Sequence, residues 1–284
     1  MNILIAGNTG VIGSYLNKQD RFANSLVLNS KIVDLTSKEE IFSYARKIEK
    51  FNVLIFLVGL AHKKGKGQEL DEFRRVNKQT LVNLLSILEE ENKIPDKIIF
   101  ASTISVYGEK INQNVYNEVS DTKPFSPYAI TKLEAEEYLL NNFSNQSWIL
   151  RFAPVYASNF QLNINRRTKI GGWFYKVGSG SKKLSLCNLE NIGSAVQGII
   201  DDKVSAGIYN ISDENEYSYD NLLHYVNAKW IVRIPTFLVK GLFYIGKMMN
   251  NIFLKENATK LISDNIFPSD KIRKYISLPG SLNK

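Results

Sequence analysis

Short apolar runs, each of strand length, recur along the first three quarters of the chain: Ile3-Leu4-Ile5-Ala6, Leu26-Val27-Leu28, Val53-Leu54-Ile55-Phe56-Leu57-Val58, Lys97-Ile98-Ile99-Phe100-Ala101 and Ile208-Tyr209-Asn210-Ile211. None alternates with polar residues, the pattern of strands covered on both faces of a parallel sheet. Between them the period lengthens. Ile41, Ala45 and Ile48 fall on one helical face, as do Leu81, Leu84, Leu85 and Leu88, and later Ile192, Val196 and Ile199. Strand and helix signals in alternation predict an α/β fold with a doubly wound parallel sheet.

Composition narrows the class. At 284 residues the chain is long enough for one large α/β domain, or for a domain with a smaller appendage. Met1-Asn2 runs straight into the first apolar run, too short for a signal peptide, and a single cysteine, Cys187, suits a reducing compartment. The cytoplasm is therefore the expected location. With only His62, His224 and Cys187 there is no metal-ligand spacing, and no metal site is expected. The formal net charge of +8 favours an acidic partner: nucleic acid, an anionic membrane surface or a phosphorylated small substrate. Apart from Arg166-Arg167-Thr168-Lys169 and Lys182-Lys183 the basic residues are dispersed, which argues against nucleic acid.

Two stretches carry candidate chemistry. Gly7-Asn8-Thr9-Gly10-Val11-Ile12-Gly13 follows the first strand and opens a helix, the context of a dinucleotide-binding loop, in which glycines let the backbone approach a pyrophosphate. A purely structural turn is the competing reading. Ser126-Pro127-Tyr128-Ala129-Ile130-Thr131-Lys132 encodes a helix start, Ser126 as N-cap and Pro127 at the first position, with Tyr128 and Lys132 one turn apart on one face. A phenol beside an ammonium can serve as an acid or base near neutrality. Taken alone, the pair reads as an ordinary surface helix.

The Gly-x-x-Gly-x-x-Gly spacing with Tyr-x-x-x-Lys far downstream resembles the extended short-chain dehydrogenase/reductase family, most of whose members modify nucleotide sugars. The resemblance covers roughly residues 1–215. It implies a Rossmann-type sheet with a smaller C-terminal substrate-binding lobe, residues 1–155 forming the dinucleotide-binding domain and 156–284 mainly the lobe, with some segments returning to the first domain. Gly7, Asn8, Thr9, Gly10, Val11, Ile12 and Gly13 are then cofactor-binding, as are Asp34 and Leu35 (the family's Asp-Leu pair at the adenine) and Leu57, Val58 and Gly59 in the loop beneath the cofactor. Asp34 reads equally well as a helix cap or turn residue, and Gly59 as a simple turn. Asn77 matches an asparagine near the catalytic centre, or is an ordinary polar helix residue. Thr103 holds the Ser/Thr position four residues before the tyrosine of Val106-Tyr107-Gly108, and with Tyr128 and Lys132 it completes the implied catalytic set. Relatives that prefer NAD end the second strand with a carboxylate; here Asn29-Ser30-Lys31 stands there, so the cofactor is NAD or NADP.

The second half is less informative. Asn163 to Lys169, with Arg166 and Arg167, is either a diphosphate-binding segment or a solvated basic loop. The polar loop at 62–67 is a solvated charge run or a phosphate contact. Residues 234–254 are strongly apolar but interrupted by Lys240 and Lys247, which argues against a membrane span. A packed or lid helix of the lobe is preferred there over one lying on a membrane surface. The tail from Pro268 is expected to be loosely ordered.

By resemblance the substrate is a nucleoside-diphosphate sugar, a UDP-sugar for preference, and the family often forms homodimers. The implied reaction is hydride exchange at sugar C4, either 4-epimerisation or reduction of a 4-keto sugar, in surface polysaccharide precursor synthesis. The 4,6-dehydratases carry Asp-Glu directly after the position of Thr103. Here Ile104-Ser105 offers no acid or base, which disfavours dehydration. The reading from another class is a dinucleotide-binding sensor or scaffold without turnover.

Overall fold

The computed structural model describes residues 1–60, 70–108, 110 and 113–282, and the basic loop at 62–67 lies outside the described residues. The chain begins with β1 (Ile3–Ala6), α1 (Val11–Leu16), β2 (Leu26–Leu28), α2 (Lys38–Lys47) and β3 (Val53–Phe56). There follow α3 (Leu70–Arg74), a π-helical turn at Arg75–Gln79, α4 (Thr80–Glu90), β4 (Lys97–Thr103), α5 (Pro127–Phe143) and β5 (Ser147–Phe152). Beyond these come β6 (Val155–Tyr156), α6 (Leu162–Thr168), β7 (Lys169–Ile170), β8 (Trp173–Val177), β9 (Lys183–Leu184), β10 (Cys187–Asn188) and α7 (Leu189–Ile200). The last elements are β11 (Gly207–Ile211), β12 (Tyr217–Ser218), α8 (Tyr219–Tyr225), β13 (Ile231–Ile234), α9 (Thr236–Met248), α10 (Ile252–Ile262) and α11 (Asp270–Arg273).

Contacts divide the chain into two interleaved units. One comprises Met1–Val106, Pro127–Arg151 and Val196–Tyr209; the other comprises Tyr107–Ser126, Phe152–Ala195 and Asn210–Lys284. The first unit is built on a six-stranded sheet in the order β11-β5-β4-β3-β1-β2, with β1 parallel to both β2 and β3, and β3 parallel to β4. From β1 the chain steps outward to β2, then crosses to β3 on the other side. That reversal is the switch point at which open α/β sheets bind ligands. The apolar runs Ile3–Ala6 and Val53–Phe56 are buried at every position. Helical Ile41, Ala45, Leu81, Leu84, Leu85 and Leu88 join their inward side chains in one core, each burial removing apolar surface from water at ~25 cal/mol per Å².

The second unit holds smaller pieces: a β10–β6 pair, a β12–β9 pair and a sheet ordered β13-β8-β7. The apolar 234–254 region is not one helix. Pro235 separates β13 from α9, and Gly246 allows α10 to cross closely, since a Cβ there would stand 2.9 Å from the Lys255 amide nitrogen. Val239, Tyr175, Val177 and Ala258 form the small core beneath them.

The expectation of a loose tail after Pro268 is corrected. Ile272, Leu278 and Leu282 are buried, the Gly280 amide donates to Asn191 Oδ1 at 2.7 Å, and the Leu282 amide donates to the Tyr217 hydroxyl at 2.9 Å. Three apolar side chains with satisfied backbone anchors outweigh the polar residues that suggested disorder.

Candidate active site

The glycine loop is shaped by close backbone approach. Gly7 has φ +89°, and a Cβ there would stand 2.9 Å from the Leu57 carbonyl carbon. A Cβ at Gly13 would stand 2.5 Å from the Gly7 oxygen, so α1 packs onto the strand end only because that position is bare. Thr9, Gly10 and Val11 are exposed, and Gly7, Asn8 and Ile12 partly so, which leaves the loop backbone open to a ligand. Asn29, at the end of β2, donates its side-chain N–H to Asn8 Oδ1 at 2.9 Å and so holds the loop. With six residues, α1 has little macrodipole. Any attraction for phosphate at this loop rests on its backbone N–H groups, and the bare cradle fits a dinucleotide.

Across the switch point, Leu57, Val58 and Gly59 follow β3, with Leu57 donating its amide to the Ala6 oxygen at 2.8 Å. This segment is braced by Asn77. Asn77 is fully buried, accepts from the Leu60 amide at 2.6 Å, and donates to the Thr131 hydroxyl at 3.0 Å. It sits in the π-helical turn, a local widening of the helix that often marks functional sites. A Cβ at Gly59 would stand 3.0 Å from Lys132 Nζ, so the glycine leaves room for the lysine head.

Thr103 ends β4 and Tyr128 lies in the first turn of α5, which starts at Pro127 as the sequence predicts. The Thr103 hydroxyl lies near the Tyr128 phenol. Burial pushes the phenol of this half-buried tyrosine up to about 12, and the Thr103 contact opposes that rise. Lys132 is buried one turn on, and its Nζ donates to the carbonyl oxygens of Ala101 (2.9 Å) and Val58 (3.2 Å). Its ammonium also lies 4.6 Å from the centre of the Phe100 ring. Burial draws Lys132 down to about 7, while the Glu136 carboxylate favours its protonated form.

Asp34 Oδ1 accepts from both the amide and the hydroxyl of Thr36 at 2.8 Å, and these bonds hold its carboxyl below the usual range. That is the turn reading of Asp34, while Leu35 beside it is buried. Arg166 and Arg167 stand on α6 rather than on a loop, in the second unit, where Arg167 Nη1 donates to the Asn163 oxygen at 2.9 Å.

One group escaped the sequence reading. Ser102, Glu136 and Arg151 form a buried polar cluster: Ser102 donates to Glu136 Oε1, and Arg151 Nη2 donates to Glu136 Oε2 at 2.6 Å. The signal was present. Arg151 is a charge inside an apolar strand, which requires a buried partner, and Glu136 repeats the Tyr128–Lys132 spacing one turn further on. Among the described residues no cluster of His, Cys, Asp or Glu is placed to hold a metal ion, and no helix is long and apolar enough to cross a membrane.

Residues 3–211 match the profile of the NAD dependent epimerase/dehydratase family. No curated protein matches the sequence. Among solved structures, a UDP-glucose 4-epimerase from Thermotoga maritima with UDP-glucose aligns over 99% of this chain and 95% of its own, at 18% identity and a TM-score of 0.74. A UDP-glucuronic acid 4-epimerase from Bacillus cereus in complex with NAD aligns over the same shares at 18% identity and 0.71. A dTDP-4-dehydrorhamnose reductase from Bacillus anthracis in complex with NADP covers 82% of this chain and 84% of its own, at 18% identity and 0.65. At such identity the likeness carries the fold.

Proposed function

Because the chain belongs to the NAD dependent epimerase/dehydratase family, we propose that it is an NAD(P)-dependent enzyme acting at C4 of a nucleoside-diphosphate sugar, as a 4-keto-sugar reductase or a 4-epimerase. The observation that carries this reading is the buried Lys132, held by the Val58 and Ala101 carbonyls one turn from Tyr128 on α5, with Thr103 at the end of β4 and the glycine loop on the same sheet edge. A UDP-sugar is the favoured substrate, since two of the structural neighbours are UDP-sugar epimerases.

When bound, NAD(P) supplies the hydride acceptor or donor. Tyr128 exchanges a proton with the oxygen on the reacting carbon, and the Thr103 hydroxyl donates to that oxygen and fixes its position. Lys132 ties α5 to the Val58 and Ala101 carbonyls and so sets where the phenol stands. The loop at 57–59, braced by Asn77, and the glycine loop hold the cofactor. Arg166 and Arg167 take the diphosphate, and the chain acts as a homodimer in the cytoplasm, in the making of polysaccharide precursors.

Between the two reactions, reduction is favoured. The phenol is protonated near neutrality, the form that reduction of a ketone draws on. The carboxylate missing after β2, where Asn29 instead holds Asn8, also leaves room for a 2′-phosphate. Ile104, buried, and Ser105, whose amide donates to Thr103 Oγ1 at 3.2 Å, offer no acid or base for dehydration.

Mass spectrometry of the small molecule released on denaturing freshly purified protein tests this. Stoichiometric NAD would favour the epimerase. An empty protein that takes up NADPH on titration would favour the reductase, and failure to bind either cofactor would sink both.

A further inference from the structure

One side of α9 is packed and the other is bare. Val239 and Gly246 are buried within the second unit, yet on the opposite side Phe237 (70% exposed), Tyr244 (65%) and Met248 (82%) stand at helical spacing with no charge among them. Gly241 falls on the same line, and a Cβ placed there would meet no heavy atom within 4 Å. Lys240 and Lys247, seven residues apart and both exposed, run along one edge of this stripe. Two further exposed aromatics belong to the same unit: Trp173 (67%) opens β8, and Trp230 (80%) directly precedes β13. Since β8 and β13 are parallel and register Ile231 with Phe174, both tryptophans lie at one end of that sheet.

Charge selects the occupant. Segments 157–189 and 221–255, which supply these elements, contain eleven Lys or Arg residues and no Asp or Glu. Lys176, Lys182 and Lys183 are paired with Asp220, Asp264 and Glu216, so the lysines of α9 set the charge of the face itself. A second copy of the same face would bring like charge against like charge. Nucleic acid would meet an outermost line that is wholly apolar. An apolar, aromatic-bearing helix edged by lysines matches an anionic lipid surface: the rings and Met248 enter the headgroup boundary and the lysines reach lipid phosphates.

We propose that the α9 face of the second unit docks on an anionic bilayer surface, without spanning it. This does not depend on the reaction assigned above, and it gives the apolar 234–254 region a role that a packed helix does not.

The test is cosedimentation of the whole protein with vesicles of phosphatidylcholine alone or with about one third phosphatidylglycerol. Partition at least tenfold stronger into the anionic vesicles, weakened by salt, is the expected result. Lys240→Glu with Lys247→Glu, and separately Phe237→Ser with Met248→Ser, should each reduce partition at least tenfold while thermal unfolding and NAD(P) binding stay as in the parent protein. Equal or absent partition into both vesicles would overturn the proposal. So would undiminished partition of both variants, or self-association that the Phe237→Ser, Met248→Ser variant abolishes, which would assign the face to a second copy.

Discussion

At the scale of single residues, Thr103 and Tyr128 divide the work of one proton. Burial holds the phenol's proton firmly, and the nearby threonine hydroxyl partly relieves that hold. Tyr128→Phe keeps the ring and removes the exchanging oxygen. It should lower kcat by roughly 10²–10⁴-fold while cofactor affinity, read by NADPH fluorescence, stays within a few-fold. Thr103→Val removes the one group that pulls the phenol down, so the phenol should titrate still higher. Any basic limb of the kcat against pH profile should then move upward, and kcat should fall; a limb that moves downward would give the titration to another group.

At the scale of elements, α5 matters because it is bolted to the sheet as well as bearing the reacting groups. Arg151 of β5 and Glu136 of α5 pair with side chains 4% and 1% exposed. Glu136→Gln leaves Arg151 buried without a countercharge and should cost about 3 kcal/mol in urea unfolding. Replacing both partners, as in Glu136→Gln with Arg151→Met, should recover part of that loss. The elements themselves were largely legible: uniformly apolar runs became the sheet, and Ser126-Pro127 announced where α5 begins. What could not be read were pairings between distant positions. The grip of Asn29 on Asn8 and the bracing of 57–60 by Asn77 involve ordinary polar residues whose spacing in sequence says nothing of their meeting. The tail after Pro268 misled for the same reason, since its order comes from Asn191 and Tyr217, far back in the chain.

At the scale of the whole molecule, Lys132 links the site to stability. Folding draws it to about 7, against ~10.4 for an unfolded lysine. Between those values the unfolded chain binds the extra proton, so this group makes the fold more stable as pH rises and less stable as pH falls through 7. Lys132→Met should flatten the gain in unfolding free energy between about pH 7 and about pH 9, as measured by urea titration at each pH.

The interleaving of the two units has a consequence during synthesis. In the finished sheet β5 is covered on its outer side by β11, which is translated much later, after the whole of β6 to α7. At ~5–20 residues per second, the nascent chain waits several seconds with the hydrogen-bonding edge of an apolar strand uncovered. An open strand edge invites pairing with other chains, so yield of active protein should depend on how well the cell shields β5 until Gly207–Ile211 has emerged.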